Sequence, residues 1–190
     1  MSPVAAAAAL LWILYIAIFV RNWLGIRRSR RRDGERWDNR KTDRTSRRGL
    51  LLQGLGLLCA LVPAGATRPS PVLQALALAL LLLGLGLVWL ALRHLGDQWR
   101  VNAVVTEDHR LVTTGPYALV RHPIYTSLFA MTLGTAILVT SWALLAAAVL
   151  FYSAGSEIRV RSEDALLAAH FGPRHAAWRS QTKAWLPWIR

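Results

Sequence analysis

The chain has 190 residues, of which 54% are hydrophobic, with a mean hydropathy of +0.33 and a formal net charge of +13. This length predicts a single domain, and the apolar content is too high for a soluble protein of this size. Several apolar runs approach the roughly 20 residues that a membrane-spanning helix requires. The sequence therefore excludes an ordinary soluble domain and predicts an all-α, polytopic integral membrane helical bundle.

The first apolar run covers residues 4–20, and basic residues follow it instead of preceding it. A cleaved signal peptide has the opposite order, so we expect a retained helix. The next segment, residues 21–48, holds twelve Lys or Arg residues against four acids. Basic clusters bind phosphate from either lipids or nucleic acids. Because no nucleic-acid-binding motif accompanies the charge, we expect contact with anionic lipid headgroups and no nucleic-acid partner.

The second and third predicted helices cover residues 49–66 and 71–92. Both contain glycines two residues apart, namely Gly54, Gly56, Gly84 and Gly86. A dinucleotide-binding loop would need a strand before such glycines, so we expect them to permit close helix packing. Cys59 is the only cysteine, which excludes a disulfide within the chain.

Residues 93–122 form a second polar segment, which is rich in side chains suited to ligand binding. These side chains are His94, Trp99, His109, Tyr117, Arg121 and His122. Gly115-Pro116 predicts a turn, and Pro123 suits the first position of a new helix, where no N–H is needed. We therefore expect Arg121 beside free N–H groups that favour an anion. The alternative is a juxtamembrane turn in which Arg121 reaches toward headgroups.

Residues 124–156 are too long for one comfortable span, and Ser141-Trp142 has the composition of a membrane surface. We therefore expect a hairpin of helices at 123–139 and 142–158. The second helix should continue out of the membrane as a polar helix that stops near Gly172-Pro173. The histidines of the chain lack metal-ligand spacing, so no metal site is predicted.

The polar helix carries two oppositely charged pairs at i, i+4 spacing: Arg159 with Glu163, and Glu157 with Arg161. One interpretation is a pair of solvated salt bridges, which contribute little to stability. The other is that Arg159 or Arg161 holds an anionic substrate group while Glu163 binds a cofactor hydroxyl or amine. The sequence leaves both open.

The orientation in the membrane follows from the positive charges, of which there are twelve in 21–48, four in 93–122 and six in 157–190. With five transmembrane helices, 22 of the 23 Lys and Arg residues fall on one side. The positive-inside rule then places the N-terminus outside and the C-terminus in the cytoplasm. Both polar segments and the tail would share the cytosolic face, in a membrane that we expect to be a bacterial inner membrane.

Three motifs resemble a known family: HRLVTTGPYALVRHPIY at 109–125, EDALLAAHFGPRHAAW at 163–178, and Pro187. They are similar to H-x-L-V-x-x-G-P-Y, R-H-P-x-Y, a Glu-Glu pair and F-G in the isoprenylcysteine carboxyl methyltransferase and phospholipid methyltransferase superfamily. The resemblance covers residues 93–190. It implies a small helical membrane bundle that binds S-adenosylmethionine in a cytosolic pocket and methylates a lipophilic or lipidated acceptor.

The resemblance also implies which residues contact the cofactor. They are His109, Leu111, Val112, Gly115, Tyr117, Arg121, His122, Pro123, Tyr125 and Glu163. A carboxylate acceptor would need a cation, for which Arg159 and Arg161 are the candidates. An amine or thiol acceptor would need a base, which would be Glu163 or His122.

Three features of the sequence depart from the family pattern. Ser127 stands where the family has glycine, and Glu163-Asp164 replaces the Glu-Glu pair. The family's Phe-Gly-x-x-Tyr-x-x-Tyr tail is represented here by Phe171, Gly172, His175 and Trp178. The loss of two tyrosine hydroxyls bears on the acceptor more than on the cofactor.

We therefore predict one methyltransferase domain over residues 1–190. Residues 1–92 would hold three helices and the basic loop, and residues 93–190 the cofactor motifs, the hairpin and the tail. Two alternatives remain open. Membrane sterol reductases are similar in the C-terminal region and bind NADPH, and a non-enzymatic membrane scaffold would use the basic loop to bind anionic lipid.

Overall fold

The computed structural model describes residues 2–32, 44–64, 69–96, 99 and 110–189. Across these residues the fold is helical, apart from one isolated parallel bridge between Val120 and Lys183. The helices are α1 (Pro3–Arg32), α2 (Arg44–Leu61), α3 (Pro71–Leu95), α4 (Pro123–Val139), α5 (Trp142–Phe171) and α6 (Pro173–Gln181), with a 3₁₀ turn at Gly115–Ala118 before α4. The all-α prediction is confirmed for the part of the chain that is described.

Three of the described helical stretches are long and apolar enough to cross a membrane: Pro3–Arg28, Pro71–Leu95 and Trp142–Phe171. Pro123–Val139 is a shorter apolar helix. Large apolar side chains lie on the outside of the bundle, among them Ile13, Leu51, Leu58, Val72, Leu83 and Leu150. Such an outer surface fits a bundle surrounded by lipid. The prediction of five membrane-spanning helices is not confirmed, because only three of the described helices are long and apolar enough and a fourth is shorter.

The predicted bounds of α1 and α2 need correction. The first helix was expected at 4–20, but α1 runs on to Arg32 because a helix can continue into water once its apolar part has left the membrane. The second was expected at 49–66, but α2 spans Arg44–Leu61. Its end is earlier because Pro63, which has no N–H to donate, follows two residues later.

The later helices are close to their predicted positions. α3 begins at Pro71, where the Ser70 hydroxyl accepts a hydrogen bond from the Leu73 N–H at 3.3 Å, and extends three residues beyond the predicted end. The hairpin is confirmed, with Ser141 capping α5 through the Leu144 N–H at 3.4 Å. α5 continues as a polar helix until Gly172, which has a φ of +51°.

Glycines let two helix pairs approach closely. A Cβ on Gly84 of α3 would lie 2.8 Å from the Ser127 carbonyl oxygen of α4, and one on Gly56 of α2 would lie 2.8 Å from the backbone of α5. By contrast, nothing lies within 4 Å of a Cβ on Gly54 or Gly86. The packing prediction is therefore confirmed for Gly56 and Gly84 and wrong for the other two.

Two side-chain hydrogen bonds attach α1 to α4. The Trp12 indole N–H donates to Thr135 Oγ1 at 2.9 Å, and the Tyr15 hydroxyl lies 2.9 Å from Ser127 Oγ. Because the Ser127 hydroxyl donates to the Ile124 carbonyl at 2.8 Å, Tyr15 must be the donor to Ser127. Ser127, where the related family has glycine, thus gives α1 a polar attachment point inside the bundle.

Candidate functional site

A cluster of charged and polar side chains lies where the start of α4 meets the second half of α5. We call it the charged cluster; its members are Arg121, His122, Tyr125, Arg159, Glu163 and Asp164. Five of these six residues are less than a tenth exposed. The sixth is Glu163, whose side chain is 20% exposed. Charged groups at this depth require partners, because an unpaired buried charge is costly.

Arg121 is held by Asp164 and by the C-terminal tail. Its Nε and Nη2 donate to the two carboxylate oxygens of Asp164 at 3.2 and 2.9 Å. Its Nη1 donates to the Thr182 carbonyl oxygen at 2.6 Å. A planar guanidinium suits this two-point contact, whereas a lysine ammonium does not.

His122 lies between two carboxylates. Its Nδ1 is 3.3 Å from Glu163 Oε2, and its Nε2 is 3.3 Å from Asp164 Oδ1. Ionised carboxylates only accept hydrogen bonds, so both ring nitrogens must donate and the ring is an imidazolium. Burial alone would lower the pKa of His122, but the hydrogen bonds to Asp164 and Glu163 outweigh it and raise this pKa. The ring also stacks on Tyr125, with centroids 5.4 Å apart.

Tyr125 connects Arg159 with Glu163. Its hydroxyl accepts from Arg159 Nε at 2.7 Å and donates to Glu163 Oε1. Arg159 Nη2 donates to the same Glu163 oxygen at 3.1 Å, and the guanidinium lies 5.2 Å from the centre of the Tyr125 ring. The predicted i, i+4 pair of Arg159 and Glu163 is therefore present and largely buried.

The two N–H groups that precede Pro123 are occupied, so the prediction of free donors beside Arg121 is wrong for these two groups. The Arg121 N–H donates to the Lys183 carbonyl at 2.9 Å, and the His122 N–H donates to the Ala184 carbonyl at 2.8 Å. Pro123 is the first residue of α4, as predicted, and has no N–H. The tail satisfies these donors, and positive charge at this place comes from side chains instead.

The turn before α4 packs onto α3. Gly115 has a φ of +60°, and a Cβ there would lie 2.3 Å from His94 Nε2, so both the conformation and the contact require glycine. Tyr117 is buried, and its burial raises the pKa of the phenol. Leu111 and Val112 are half-buried beside it. His109 lies outside the described residues.

Residues 76–169 match the model of the isoprenylcysteine carboxyl methyltransferase family, and this range includes the whole charged cluster. This match, together with the curated relatives described next, supports the isoprenylcysteine carboxyl methyltransferase superfamily. A relative from Schizosaccharomyces pombe, protein-S-isoprenylcysteine O-methyltransferase, is 36% identical over 62% of this chain and 51% of its own length. The cobalt-zinc-cadmium resistance protein CzcN of Cupriavidus metallidurans is 33% identical over 56% of this chain and 50% of its own length.

A solved structure of the eukaryotic intramembrane Ras methyltransferase of this family is also similar. The similarity covers 92% of this chain and 52% of that one, with 22% identity and a TM-score of 0.46. The chain spans about half the length of these two curated relatives, CzcN and the Schizosaccharomyces pombe methyltransferase.

The tail positions at which this chain departs from the methyltransferase family still contact the site. The Trp178 indole N–H donates to the Tyr117 carbonyl at 3.0 Å. The buried His175 has its Nε2 3.5 Å from Asp164 Oδ1, too poorly oriented for a hydrogen bond. Burial lowers the pKa of His175, so this ring is neutral where His122 is charged.

Two residues differ in position or contacts from what the sequence indicated. Arg161 does not reach the charged cluster; its side chain is 77% exposed and pairs with Glu157 at 3.8 Å. Asp164 was noted only as a shorter carboxylate, yet it contacts Arg121 and His122. Its position next to Glu163 in the family motif was the signal available in the sequence.

Proposed function

We propose that this chain is an S-adenosylmethionine-dependent methyltransferase that acts on a lipophilic acceptor at a membrane surface. One observation carries the proposal: the R-H-P-x-Y motif and the Glu163-Asp164 pair, far apart in sequence, form one buried charged cluster inside the region that matches the family model. Surface ion pairs are typically solvated, whereas perturbed and interlinked charges are typical of functional sites.

The cluster contains both cationic and anionic groups, and S-adenosylmethionine carries a carboxylate, an amine and a sulfonium that such groups can bind. Arg121, His122 and Arg159 are cationic, while Glu163 and Asp164 are anionic, so the contacts described above leave one net positive charge. A ligand carboxylate would balance that charge. Glu163 has the most exposed side chain of the cluster, so it is placed to meet a ligand amine or hydroxyl.

When bound, the cofactor would supply a methyl group on a positively charged sulfur, and the protein would mainly align the reacting groups. Arg159 fixes Tyr125 and Glu163 through its two hydrogen bonds, and its charge favours an anionic acceptor such as a carboxylate. The contacts of both His122 ring nitrogens with carboxylates favour a protonated ring, which disfavours His122 as the base for an amine or thiol acceptor. That role would fall to Glu163.

The proposed acceptor is membrane-embedded or lipidated. The outer surface of the bundle is apolar, and the Schizosaccharomyces pombe relative is named for isoprenylcysteine, a lipidated group with a carboxylate. The name of CzcN concerns metal resistance in that organism. Among the described residues, no group of three or more His, Cys, Asp and Glu side chains is arranged to hold a metal ion.

The decisive experiment is a side-by-side titration of detergent-purified protein with S-adenosylmethionine and with NADPH. We expect saturable binding of S-adenosylmethionine and none of NADPH. The methyl transfer itself is then tested with radiolabelled cofactor and two lipids that differ only in a free or blocked carboxylate. Binding of NADPH alone would favour the reductase alternative and contradict the proposal.

Arg121 tests the proposed location of the cofactor. Arg121→Lys keeps the charge but loses the two-point contact with Asp164, and should bind S-adenosylmethionine more weakly. Arg121→Ala should lose more, on the order of 1.5–3 kcal/mol of binding free energy. If folded Arg121→Ala binds as tightly as the parent, the assignment of the cofactor to this cluster is wrong.

The orientation is also a proposal, with the N-terminus outside and the C-terminus in the cytoplasm of a bacterial inner membrane. Near the C-terminal end of the apolar part of α1, the Arg27 guanidinium lies 5.0 Å from the centre of the Trp23 ring, an arrangement that suits an interface with anionic headgroups. Reporter fusions after Thr140 should report the outside, and fusions after residue 190 the cytoplasm. A cytoplasmic signal at Thr140 would contradict this orientation.

A further inference from the structure

The C-terminal residues 182–185 cross the start of α4 and contact it mainly through their backbone. Their carbonyl oxygens accept from both N–H groups that precede Pro123, as described above. The Thr182 carbonyl also accepts from the Arg121 guanidinium at 2.6 Å, and the Trp185 carbonyl accepts from the Thr126 hydroxyl. Four hydrogen bonds thus join a stretch of four residues to the segment that carries Arg121 and His122.

A buried tryptophan anchors this stretch. Trp185 is 1% exposed, and its ring meets Phe129 edge-on at 5.3 Å between centroids and lies 6.2 Å from Tyr152. Its indole N–H donates to Glu157 Oε1 at 3.0 Å. A ring this deeply packed, with its polar atom satisfied, fixes the position of the backbone beside it.

The stretch also contacts two charged residues of the cluster, Arg121 and His122. The Arg121 guanidinium donates hydrogen bonds to two partners, the Asp164 carboxylate and the Thr182 carbonyl, so displacing the tail would remove the second of these partners. The His122 ring contacts Glu163 and Asp164 together, and the Ala184 carbonyl accepts from the backbone N–H of the same residue. Residues 182–185, about twenty residues after Glu163-Asp164, therefore help to position Arg121 and His122.

We propose that residues 182–185 act as a positioning strap, which holds Arg121 and His122 in the geometry that ligand binding at the charged cluster requires. The inference rests on the function proposed above, and it adds Trp185 as a positioning residue. Trp185 would act through the backbone and would not touch the ligand.

The test compares two tryptophans of the same tail. Trp185→Ala should weaken S-adenosylmethionine binding roughly tenfold to a hundredfold, as expected when binding groups are displaced by about an ångström. Trp188→Ala should leave the affinity unchanged, because Trp188 is 91% exposed. Trp185→Phe keeps an aromatic ring but loses the hydrogen bond to Glu157 and part of the packed ring, so its affinity should lie between those of Trp185→Ala and the parent.

A packing variant away from the cluster distinguishes a specific effect of the strap on binding from a general loss of stability. A Cβ on Gly134 would lie 2.8 Å from the Ala77 carbonyl oxygen, so Gly134→Ala should destabilise the bundle without moving the tail. At a loss of unfolding temperature equal to that of Trp185→Ala, Gly134→Ala should bind S-adenosylmethionine as tightly as the parent does. If it weakens binding as much as Trp185→Ala, the strap has only a structural role and the proposal is overturned.

Hydrogen–deuterium exchange separates failure of the strap from failure of the proposed function. In Trp185→Ala, the amides of Arg121 and His122 should exchange faster while those of α3 stay protected. Unchanged exchange at both amides would overturn the strap whatever the protein binds. If the parent binds no S-adenosylmethionine, the proposed function fails, and the ligand-positioning role fails with it even where exchange rises.

Discussion

Two ion pairs on α5 have the same sequence spacing and opposite surroundings. Arg159 and Glu163 are 3.1 Å apart, with side chains 7% and 20% exposed. Arg161 and Glu157 are 3.8 Å apart, and the Arg161 side chain is 77% exposed. The i, i+4 rule predicts both equally well. What distinguishes them is which neighbouring helices each face of α5 meets, and this determines which pair belongs to a site.

The inward face of α5 meets α2 and α4. A Cβ on Gly49 of α2 would lie 2.6 Å from Arg159 Cγ, so glycine at that position makes room for the arginine stem. The guanidinium then reaches Tyr125 of α4. Arg161 is two residues further along and points away from both helices, so its contacts with Glu157 compete with solvent.

Of the substitutions considered, Asp164→Ala should destabilise the buried charged cluster most. It would leave Arg121 and His122 buried without their shared carboxylate, which typically costs about 3–5 kcal/mol of folding free energy. Thermal unfolding in detergent measures the change. Asp164→Asn, which keeps the shape and one acceptor oxygen, should lose less; a stability equal to that of the parent would mean that the charge of Asp164 does not matter.

Arg159→Ala should have the next largest effect. It removes hydrogen bonds to the Tyr125 hydroxyl and the Glu163 carboxylate, each of the charged kind that contributes about 1.5–3 kcal/mol. Because Glu163 keeps its contact with His122, the stability loss should be smaller than for Asp164→Ala. We expect cofactor binding to survive in part and the apparent KM for a carboxylate acceptor to rise. An unchanged KM would contradict the acceptor role of Arg159.

The sequence predicted those parts of the fold that depend on local chemistry. Ser70 before Pro71, Ser141 before Trp142 and Gly172 before Pro173 mark helix ends correctly, because caps and prolines act on their own neighbours. The end of α2 was missed although Pro63 signalled it, since the apolar run continues beyond the proline.

The site was predicted only as far as its motifs reach. Arg121, Tyr125 and Glu163 were named, but the contact of Arg121 with Asp164, 43 residues away, was not predicted. The donors at the start of α4 were expected to be free because the pairing of Val120 with Lys183 leaves no local trace in the sequence. Contacts between distant segments decide both points.

The charge state of His122 makes the stability of the buried charged cluster depend on pH. Its pKa is raised in the fold, so its contribution to stability is complete below the ordinary histidine value of about 6.5 and is lost as pH rises through the raised pKa. His175 has a lowered pKa, so its contribution is lost as pH falls below the ordinary value. The unfolding temperature should therefore decline on the alkaline side. His122→Gln should remove that decline, and its persistence would mean that another group causes it.

Arg161→Ala should have the smallest effect and serves as the matched control for Arg159→Ala on the same helix. The exposed pair that it breaks, at 3.8 Å, is of the kind that contributes about 0–1 kcal/mol and weakens further with salt. We expect an unfolding temperature and an S-adenosylmethionine affinity close to those of the parent, measured at low and at physiological ionic strength. A loss as large as that of Arg159→Ala would mean that Arg161 supports the charged cluster after all. In that case the division of α5 into a binding face and a solvated face would be wrong.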